Sequence, residues 1–289
     1  MTTLRMTVSL SFDHAVLVVE DLNKGISRFE DLGFTVTPGG VHAGGRTHNA
    51  LIGLGDGTYL ELVAATRHAL RVLLRFIQLT GAWGIYPPTR TTMGRRFLGL
   101  IAAGSGIGDY ALRARDLGDT ILSIRGRGLL FDDPVPGSRM RPDRQVVSWR
   151  TSVPQTNDLP FLIEDITPLD FRLPVESARD HQNETRGVAK ITVLVPSLEQ
   201  SAARYQALLG SETAPPVQTS PKGTRSVVFP LGESTAIELL APSVTDAGAR
   251  RYLASRDGRP LRISLTTRSG RFLSLEHASQ SGYRLSPFS

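Results

Sequence analysis

The chain contains no cysteine among its 289 residues. This absence excludes disulfide bonds, thiolate metal sites and cysteine nucleophiles. The opening stretch MTTLRMTVSLSF lacks the long apolar segment of a signal peptide, and no later run is long enough to cross a bilayer. We therefore expect a cytoplasmic protein that makes no membrane contact.

Basic residues outnumber acidic ones and give the chain a formal net charge of +6. The arginines are scattered and are not interleaved with aromatic residues, a pattern typical of a solvated basic surface. We therefore expect no nucleic-acid partner. At this length the chain can form either two compact domains or one repeated architecture.

A unit of strand, helix and further strands is visible near the beginning of the chain. The β-branched run from Ala15 to Val19 predicts a strand, and the apolar spacing from Leu22 to Leu32 predicts a helix that ends at Gly33. A glycine-rich loop and two more strands follow, joined by a GDG turn. The last of these strands, YLELV, carries Glu61.

The same pattern recurs three times along the chain. The second copy begins at GDYALRA and has Glu164 where the first copy has Glu61, and the third begins at VAKITVL and has Glu238 there. The fourth begins at PLRISLTTR, is predicted to continue as a helix over FLSLEHASQ, and stops two strands short. The predicted organisation is a first pair of units at 10–65 and 105–168 with an insertion at 66–104, and a second pair at 187–242 and 258–289.

Each unit resembles the βαβββ module of the vicinal oxygen chelate superfamily, which includes glyoxalases, bleomycin-resistance proteins and extradiol dioxygenases. The stretches DHAVLVVEDL, LGFTV, PGGVH, THNALI and DGTYLEL are similar to the glyoxalase-like domain branch, and the similarity continues through GSR, LPFLIEDITP and HQN. The resemblance implies an α+β fold of tandem modules whose curved, mixed sheets form bowls, with the last module incomplete. Because one fold serves many functions, it leaves the substrate open.

The resemblance also implies a divalent metal inside the bowl, held by side chains of the first and last strands of two modules. His14 and Glu61 occupy these positions in the first unit, and Glu164 occupies the last-strand position of the second. The fourth position falls on Asp109 or on Tyr110, depending on the alignment. Imidazole and carboxylate ligands suit Mn, Fe, Ni, Zn or Mg.

Two departures from the family pattern leave a metal-free site as the alternative. Lys190 stands at the His14 position of the third unit, where we expect a salt bridge with Glu238. The second unit has no histidine on its first strand. Under this alternative, His14 is only a polar residue at the end of a strand.

Further side chains are candidates for binding a substrate. The loop GGVHAGGRTHN supplies His42, His48 and Asn49, and strand alternation places the last two on opposite faces unless the strand bulges. The insertion contains a predicted helix over 67–79, followed by the aromatic stretch GAWGIYPPTR. Such stretches wall a ligand cleft or simply pack. The remaining candidates are Trp83, Tyr86, Arg139, Trp149 and His181.

The leading functional hypothesis is a small-molecule enzyme whose metal binds two neighbouring oxygens of the substrate, with Glu61 or Glu164 as general base. Isomerase, lyase, epimerase and dioxygenase reactions are all compatible with it. The rival is a binding protein that sequesters a small molecule without chemistry, as the resemblance to bleomycin-resistance proteins implies. The incomplete fourth unit leaves strand edges unpaired, which predicts a homodimer.

Overall fold

The computed structural model describes residues 10–81, 92–243, 246–256, 258–278 and 282–288. Within these ranges the chain is a mixed α+β protein with two curved mixed sheets, and the predicted fold class is confirmed. The first sheet closes into an eight-stranded barrel, whereas the sequence predicts an open bowl. None of the helices in the described ranges is both long and apolar enough to span a bilayer.

The barrel and its insertion occupy the first part of the described chain. In chain order the elements are β1 (Leu10–Val18), α1 (Leu22–Asp31), β2 (Thr37–His42), β3 (Thr47–Gly53), β4 (Tyr59–Ala65), α2 (His68–Thr80), α3 (Thr92–Ala103), β5 (Gly106–Ala114), α4 (Leu117–Gly126), β6 (Val135–Met140), β7 (Val146–Ser152) and β8 (Phe161–Asp165).

A linker and the second sheet follow. The linker contains α5 (Leu169–Arg172) and a short 3-10 helix (Glu176–Arg179). The remaining elements are β9 (Thr185–Leu194), α6 (Leu198–Leu209), β10 (Gln218–Thr219), β11 (Arg225–Leu231), β12 (Thr235–Ala241), α7 (Ala247–Arg256), β13 (Pro260–Thr267), β14 (Phe272–Ala278) and β15 (Gly282–Phe288).

The first helix of each of the first three units begins with the same kind of cap. Asp21, Asp116 and Ser197 each have an extended backbone and accept a hydrogen bond from the amide three residues later. A side-chain oxygen at this position satisfies an amide that the helix itself cannot pair. The repeated Asp-Leu and Ser-Leu pairs in the sequence are therefore repeated helix starts.

The barrel closes because the two units pair along both of their edges. Its strand order is β1-β4-β3-β2-β6-β7-β8-β5, with β1 antiparallel to β5 and β2 antiparallel to β6. At the β2–β6 seam Gly40 has a φ of +139°, and a Cβ there would lie 2.0 Å from the carbonyl oxygen of Met140. Only glycine permits this approach. The seam places His42 directly opposite Arg139.

The fourth unit differs from its prediction. Phe272–Ala278, predicted as a helix, is the strand β14, which pairs antiparallel with β13. Leu273 and Leu275 pack on the main core, while Ser274 donates a hydrogen bond to Glu276 on the other face. Apolar and polar side chains thus alternate with the period of a strand rather than of a helix. The unit contributes β13, β14 and β15 to a sheet of order β10-β11-β12-β9-β13-β14-β15.

The insertion packs against the inside of the barrel. The predicted helix over 67–79 is α2, which buries Leu74 and Ile77. Together with α3 it forms an apolar cluster with inward-facing strand residues, among them Val16 and Ile163. Helices α2 and α3 therefore fill part of the barrel interior, and α3 borders the remaining space.

Candidate functional site

A cavity of about 200 Å³ remains inside the barrel. One part of its wall is apolar and comes from α3 and the second unit, including Phe97, Trp149 and Phe161. The opposite part is polar and comes mainly from the first unit. We call four of its residues the acid–base cluster: His14, His42, Asn49 and Glu61.

His14 lies at the polar end of the cavity and is 3% exposed. The pairing of β1 with β5 is irregular between Phe12 and His14, and both Asp13 and His14 are buried there. The imidazole stacks on the Tyr59 ring at a centroid distance of 4.5 Å. Its Nδ1 lies 2.5 Å from Asp13 Oδ1, and its Nε2 lies 3.5 Å from Glu61 Oε2. Asp13 therefore fixes the ring so that Nε2 faces the other members of the cluster.

Glu61 is the carboxylate at the centre of the acid–base cluster and is 5% exposed. Asn49 Nδ2 donates a hydrogen bond of 2.6 Å to Glu61 Oε1. His42 Nε2 lies 3.3 Å from the same oxygen, and its Nδ1 lies 2.9 Å from Thr47 Oγ1. Two imidazoles and one amide thus converge on a single buried carboxylate.

The environment shifts the pKa values of His14 and Glu61 in opposite directions. Burial by itself lowers the pKa of His14, but its hydrogen bonds with Asp13 and Glu61 and their charges outweigh burial and raise it above 6.5. Burial by itself raises the pKa of Glu61, but hydrogen bonds with His14 and His42 hold it well below 4.5. Each group stabilises the charged form of the other. The cluster therefore favours an imidazolium beside a carboxylate.

Behind His14 lies a second set of residues, which we call the charged cluster: Asp13, Arg113, Asp165 and Arg172. The Arg172 terminal nitrogens donate bonds of 2.6 and 2.8 Å to the two oxygens of Asp13, which is 0% exposed. Arg172 Nε donates a bond of 2.7 Å to Asp165 Oδ1, and Arg113 Nε donates one of 2.6 Å to Asp13 Oδ2. Although burial raises the pKa of Asp13, the Arg172 charge and hydrogen bond hold it well below its usual value.

The structure brings four predicted substrate-binding residues to the cavity wall: His42, Asn49, Arg139 and Trp149. Trp149 lies against Gly137 on the paired strand, where a Cβ would stand only 2.3 Å from the indole nitrogen. Trp83 and Tyr86, predicted for the same wall, lie outside the described residues.

The structure does not bring Glu164 to His14 and Glu61, which corrects the predicted metal set. Phe161 and Ile163 line the cavity, so strand alternation turns Glu164 to the opposite face of β8. There it accepts a 2.9 Å bond from Arg150 Nε. Asp165, one residue later, is the acid of this strand that reaches the charged cluster.

The other proposed metal positions are also occupied by structural contacts. Asp109 forms an ion pair with Arg96 on α3, at 2.5 and 2.8 Å. Tyr110 points into the core, where its hydroxyl group bonds to that of Tyr205 on α6. Neither residue lines the cavity.

Two further histidines lie away from the cavity. His48 is on the face opposite Asn49, as alternation requires, and borders an outer groove beside Glu20. His181 Nδ1 accepts a bond of 3.0 Å from the Thr35 amide, and its Nε2 lies 2.9 Å from the Gly53 carbonyl oxygen. We therefore withdraw both as cavity residues.

In the third unit, Lys190 and Glu238 form the expected salt bridge at 3.0 Å. This prediction is confirmed.

The described part of the chain does not supply a three-ligand metal site of His, Asp or Glu side chains. The groups that come closest are already engaged with one another, because Asn49 donates to Glu61 and both imidazole Nε2 atoms face the same carboxylate. The residues present therefore do not fit the metal that the family implies.

The charged cluster predicts a large loss of stability when Arg172 is changed. Arg172→Gln leaves Asp13 buried without its main partner, and removing one member of a buried ion pair typically costs about 3–5 kcal/mol. We expect a loss of this size in the free energy of unfolding in urea. Arg268→Gln, in an exposed pair with Asp180, is the control and should cost at most about 1 kcal/mol. Equal losses of unfolding free energy in the two variants would contradict a stabilising role for the buried Arg172–Asp13 pair.

The raised pKa of His14 predicts the pH dependence of its contribution to stability. A histidine whose pKa is raised by folding contributes its full stabilisation below pH 6.5, the ordinary histidine pKa. This stabilisation is lost as the pH rises through the pKa of the folded state. The difference in unfolding free energy between the wild type and His14→Gln should therefore shrink as the pH rises above 6.5.

His181→Gln is the matched control for this titration. Burial lowers the pKa of His181, so its contribution is lost as pH falls and the corresponding difference should grow with pH. A His14→Gln difference that stays flat or grows with pH would contradict an imidazolium in the cavity.

Comparison with known proteins shows which family and which structures the chain is similar to. A family model described as a glyoxalase-like domain matches residues 12–209. A hypothetical protein from Staphylococcus aureus has a similar structure, with a TM-score of 0.66 and 12% identity over 97% of this chain and 99% of that one. A mutant 4-hydroxymandelate synthase from Streptomyces coelicolor has a TM-score of 0.57 and 15% identity, over 91% and 72% of the two chains. No curated protein matches the chain.

At these identities the structural neighbours establish the fold alone. The family model, however, covers more than half of the chain. The chain therefore belongs to the glyoxalase-like domain family.

Proposed function

We propose that this protein is a small-molecule enzyme that transfers a proton at a carbon next to a carbonyl group, as isomerases and lyases do. The observation that carries the proposal is the pairing of His14 with Glu61 in one cavity, with their pKa values shifted in opposite directions. A pair of titratable groups whose surroundings separate their protonation states is the usual arrangement of an acid and a base.

In this proposal Glu61 is the base. Its carboxylate is ionised, and Asn49 and His42 hold it in place. The low pKa makes it a weak base while His14 lies beside it. A substrate that enters between the two groups separates their charges, which weakens this effect and makes Glu61 more basic when the proton is removed.

His14 is the acid. Asp13 holds Nδ1, so the Nε2–H group is directed towards the substrate carbonyl oxygen. Negative charge develops on that oxygen when the neighbouring carbon loses its proton, and a preorganised imidazolium stabilises it there. The aromatic wall formed by Phe97, Trp149 and Phe161 makes that side of the cavity apolar, and electrostatic interactions are stronger in apolar surroundings than in water.

The proposal assigns no step to a metal ion, because the described side chains do not fit one. This differs from the metal-dependent mechanism that the family resemblance implies. A binding protein without chemistry is the rival function, and the same experiment separates the two.

We expect wild-type protein to catalyse exchange of carbon-bound hydrogen for deuterium in D₂O, measured by proton NMR on a panel of small ketones and 2-oxo acids. Glu61→Gln removes the base and should slow exchange by about 10²–10⁴-fold. Glu164→Gln is the matched control, because it changes the acid on the outer face of the barrel, and its exchange rate should stay within about twofold of wild type.

Three outcomes would contradict the proposal. Equal exchange by wild type and Glu61→Gln would remove Glu61 as the base. Loss of exchange after treatment with a chelator would restore a metal mechanism. Binding of panel compounds without any exchange would favour the sequestering protein.

The homodimer stays a prediction. The second sheet ends in two edge strands, β10 and β15, and an unpaired strand edge can pair with another chain. Because β10 has two residues and β15 has seven, we propose that pairing would use β15.

A further inference from the structure

Arg139 is a buried cation that the proton-transfer chemistry does not use. Its side chain lines the cavity opposite His42 and is 4% exposed. One terminal nitrogen donates a bond of 2.8 Å to the Arg172 carbonyl oxygen, while the buried Nε has no hydrogen-bond partner. Within the described residues, no carboxylate oxygen lies within 4.0 Å of its guanidinium nitrogens.

This arrangement contrasts with that of Arg172, which is equally buried but forms close ion pairs with Asp13 and Asp165. A buried charge without a paired counter-charge costs free energy. Consistent with this, burial is the largest influence on the pKa of Arg139 and lowers it, although Tyr59 and Glu61 act in the opposite direction. The free protein therefore lacks the anion that Arg139 would pair with.

The charge balance of the site indicates what that anion is. Three carboxylates and three guanidinium groups surround the polar end of the cavity: Asp13, Glu61, Asp165, Arg113, Arg139 and Arg172. Arg46, an exposed residue that also lines the cavity, adds one positive charge to this set. The site therefore favours an anion, and a ligand with a single negative charge meets less repulsion from Glu61, whose charge reaches Arg139, than a dianion such as a phosphate monoester does.

We propose that Arg139 binds the carboxylate of a small monocarboxylic acid, which is then the substrate class of this site. The Arg139 side chain lines the cavity, and a guanidinium group offers the planar fork of N–H donors that matches a carboxylate. The inference rests on the proposed function for the reaction of the acid, but the binding step stands without it. With the carboxylate at Arg139, the rest of a small ligand extends towards Glu61, whose charge already acts on Arg139.

Three probes of similar shape test the charge that the cavity takes: benzoate, benzamide and phenyl phosphate. Calorimetric titration of the wild-type protein should give an affinity for benzoate at least about tenfold above that for benzamide, since hydrogen bonds between charged groups are about twice as strong as neutral ones. Phenyl phosphate should bind more weakly than benzoate. Equal binding of benzoate and benzamide, or no binding of either, would overturn the inference, as would tightest binding of phenyl phosphate.

Arg139→Met is the decisive variant. It should abolish the preference for benzoate over benzamide and leave the melting temperature of the free protein unchanged or higher, because it removes an unpaired buried charge. If Arg139 had only a structural role, its replacement would lower the melting temperature and would leave the benzoate preference unchanged. A lower melting temperature, failure to fold, or a retained benzoate preference would each overturn the assignment.

Arg150→Met is the matched control. Arg150 lies on the same sheet but pairs with Glu164 on the outer face. This change should leave the benzoate preference intact, and its loss would show that the preference does not come from the cavity.

The two proposals can fail separately. Benzoate binding that depends on Arg139, combined with no deuterium exchange on any 2-oxo acid, overturns the enzyme and retains the carboxylate site. Deuterium exchange that depends on Glu61 but not on Arg139 retains the enzyme and overturns the carboxylate site.

Discussion

The buried contact between Arg172 and Asp13 is the constraint on which the polar side of this cavity depends. Arg172 belongs to the linker after the barrel, yet it reaches back to the first strand, to Asp165 on the last strand of the barrel and to the hydroxyl group of Tyr59. Breaking such a pair leaves a charge in the interior, so the linker and the barrel edges are held in one arrangement. Asp13, fixed in this way, orients His14.

Because His14 is oriented in this way, charge is distributed unevenly in the cavity. His14 and Glu61 stabilise each other as an ion pair, and the charged cluster behind them is nearly balanced. Arg139 alone is buried without a carboxylate beside it, in the part of the chain that the structure describes. The buried charge of Arg139 thus destabilises the free protein, and an anionic ligand bound there would remove this cost.

The sequence predicted the repeated units, because helix caps and strand periods are local signals. The family resemblance pointed to His14 and Glu61 as residues of the cavity. It placed Glu164 in the cavity because it could not resolve a shift of one residue, which turns a strand side chain to the other face. Arg172 escaped prediction entirely, since nothing local links it to Asp13, 159 residues earlier. The helix predicted over FLSLEHASQ is wrong, because the apolar and polar side chains of residues 272–278 alternate with the period of a strand and this segment pairs with β13.

The charge state of the His14 ring tests this account most directly. In protein labelled with ¹⁵N-histidine, the ring nitrogens report whether one or both carry a proton, and His14→Gln assigns the signal. We predict that both His14 nitrogens are protonated at pH 6.5, in protein treated with chelator, and that Glu61→Gln lowers the pKa of the ring. A neutral His14 ring at that pH, or a signal that shifts when a divalent metal is added at one equivalent, would contradict an imidazolium–carboxylate pair at the centre of the site.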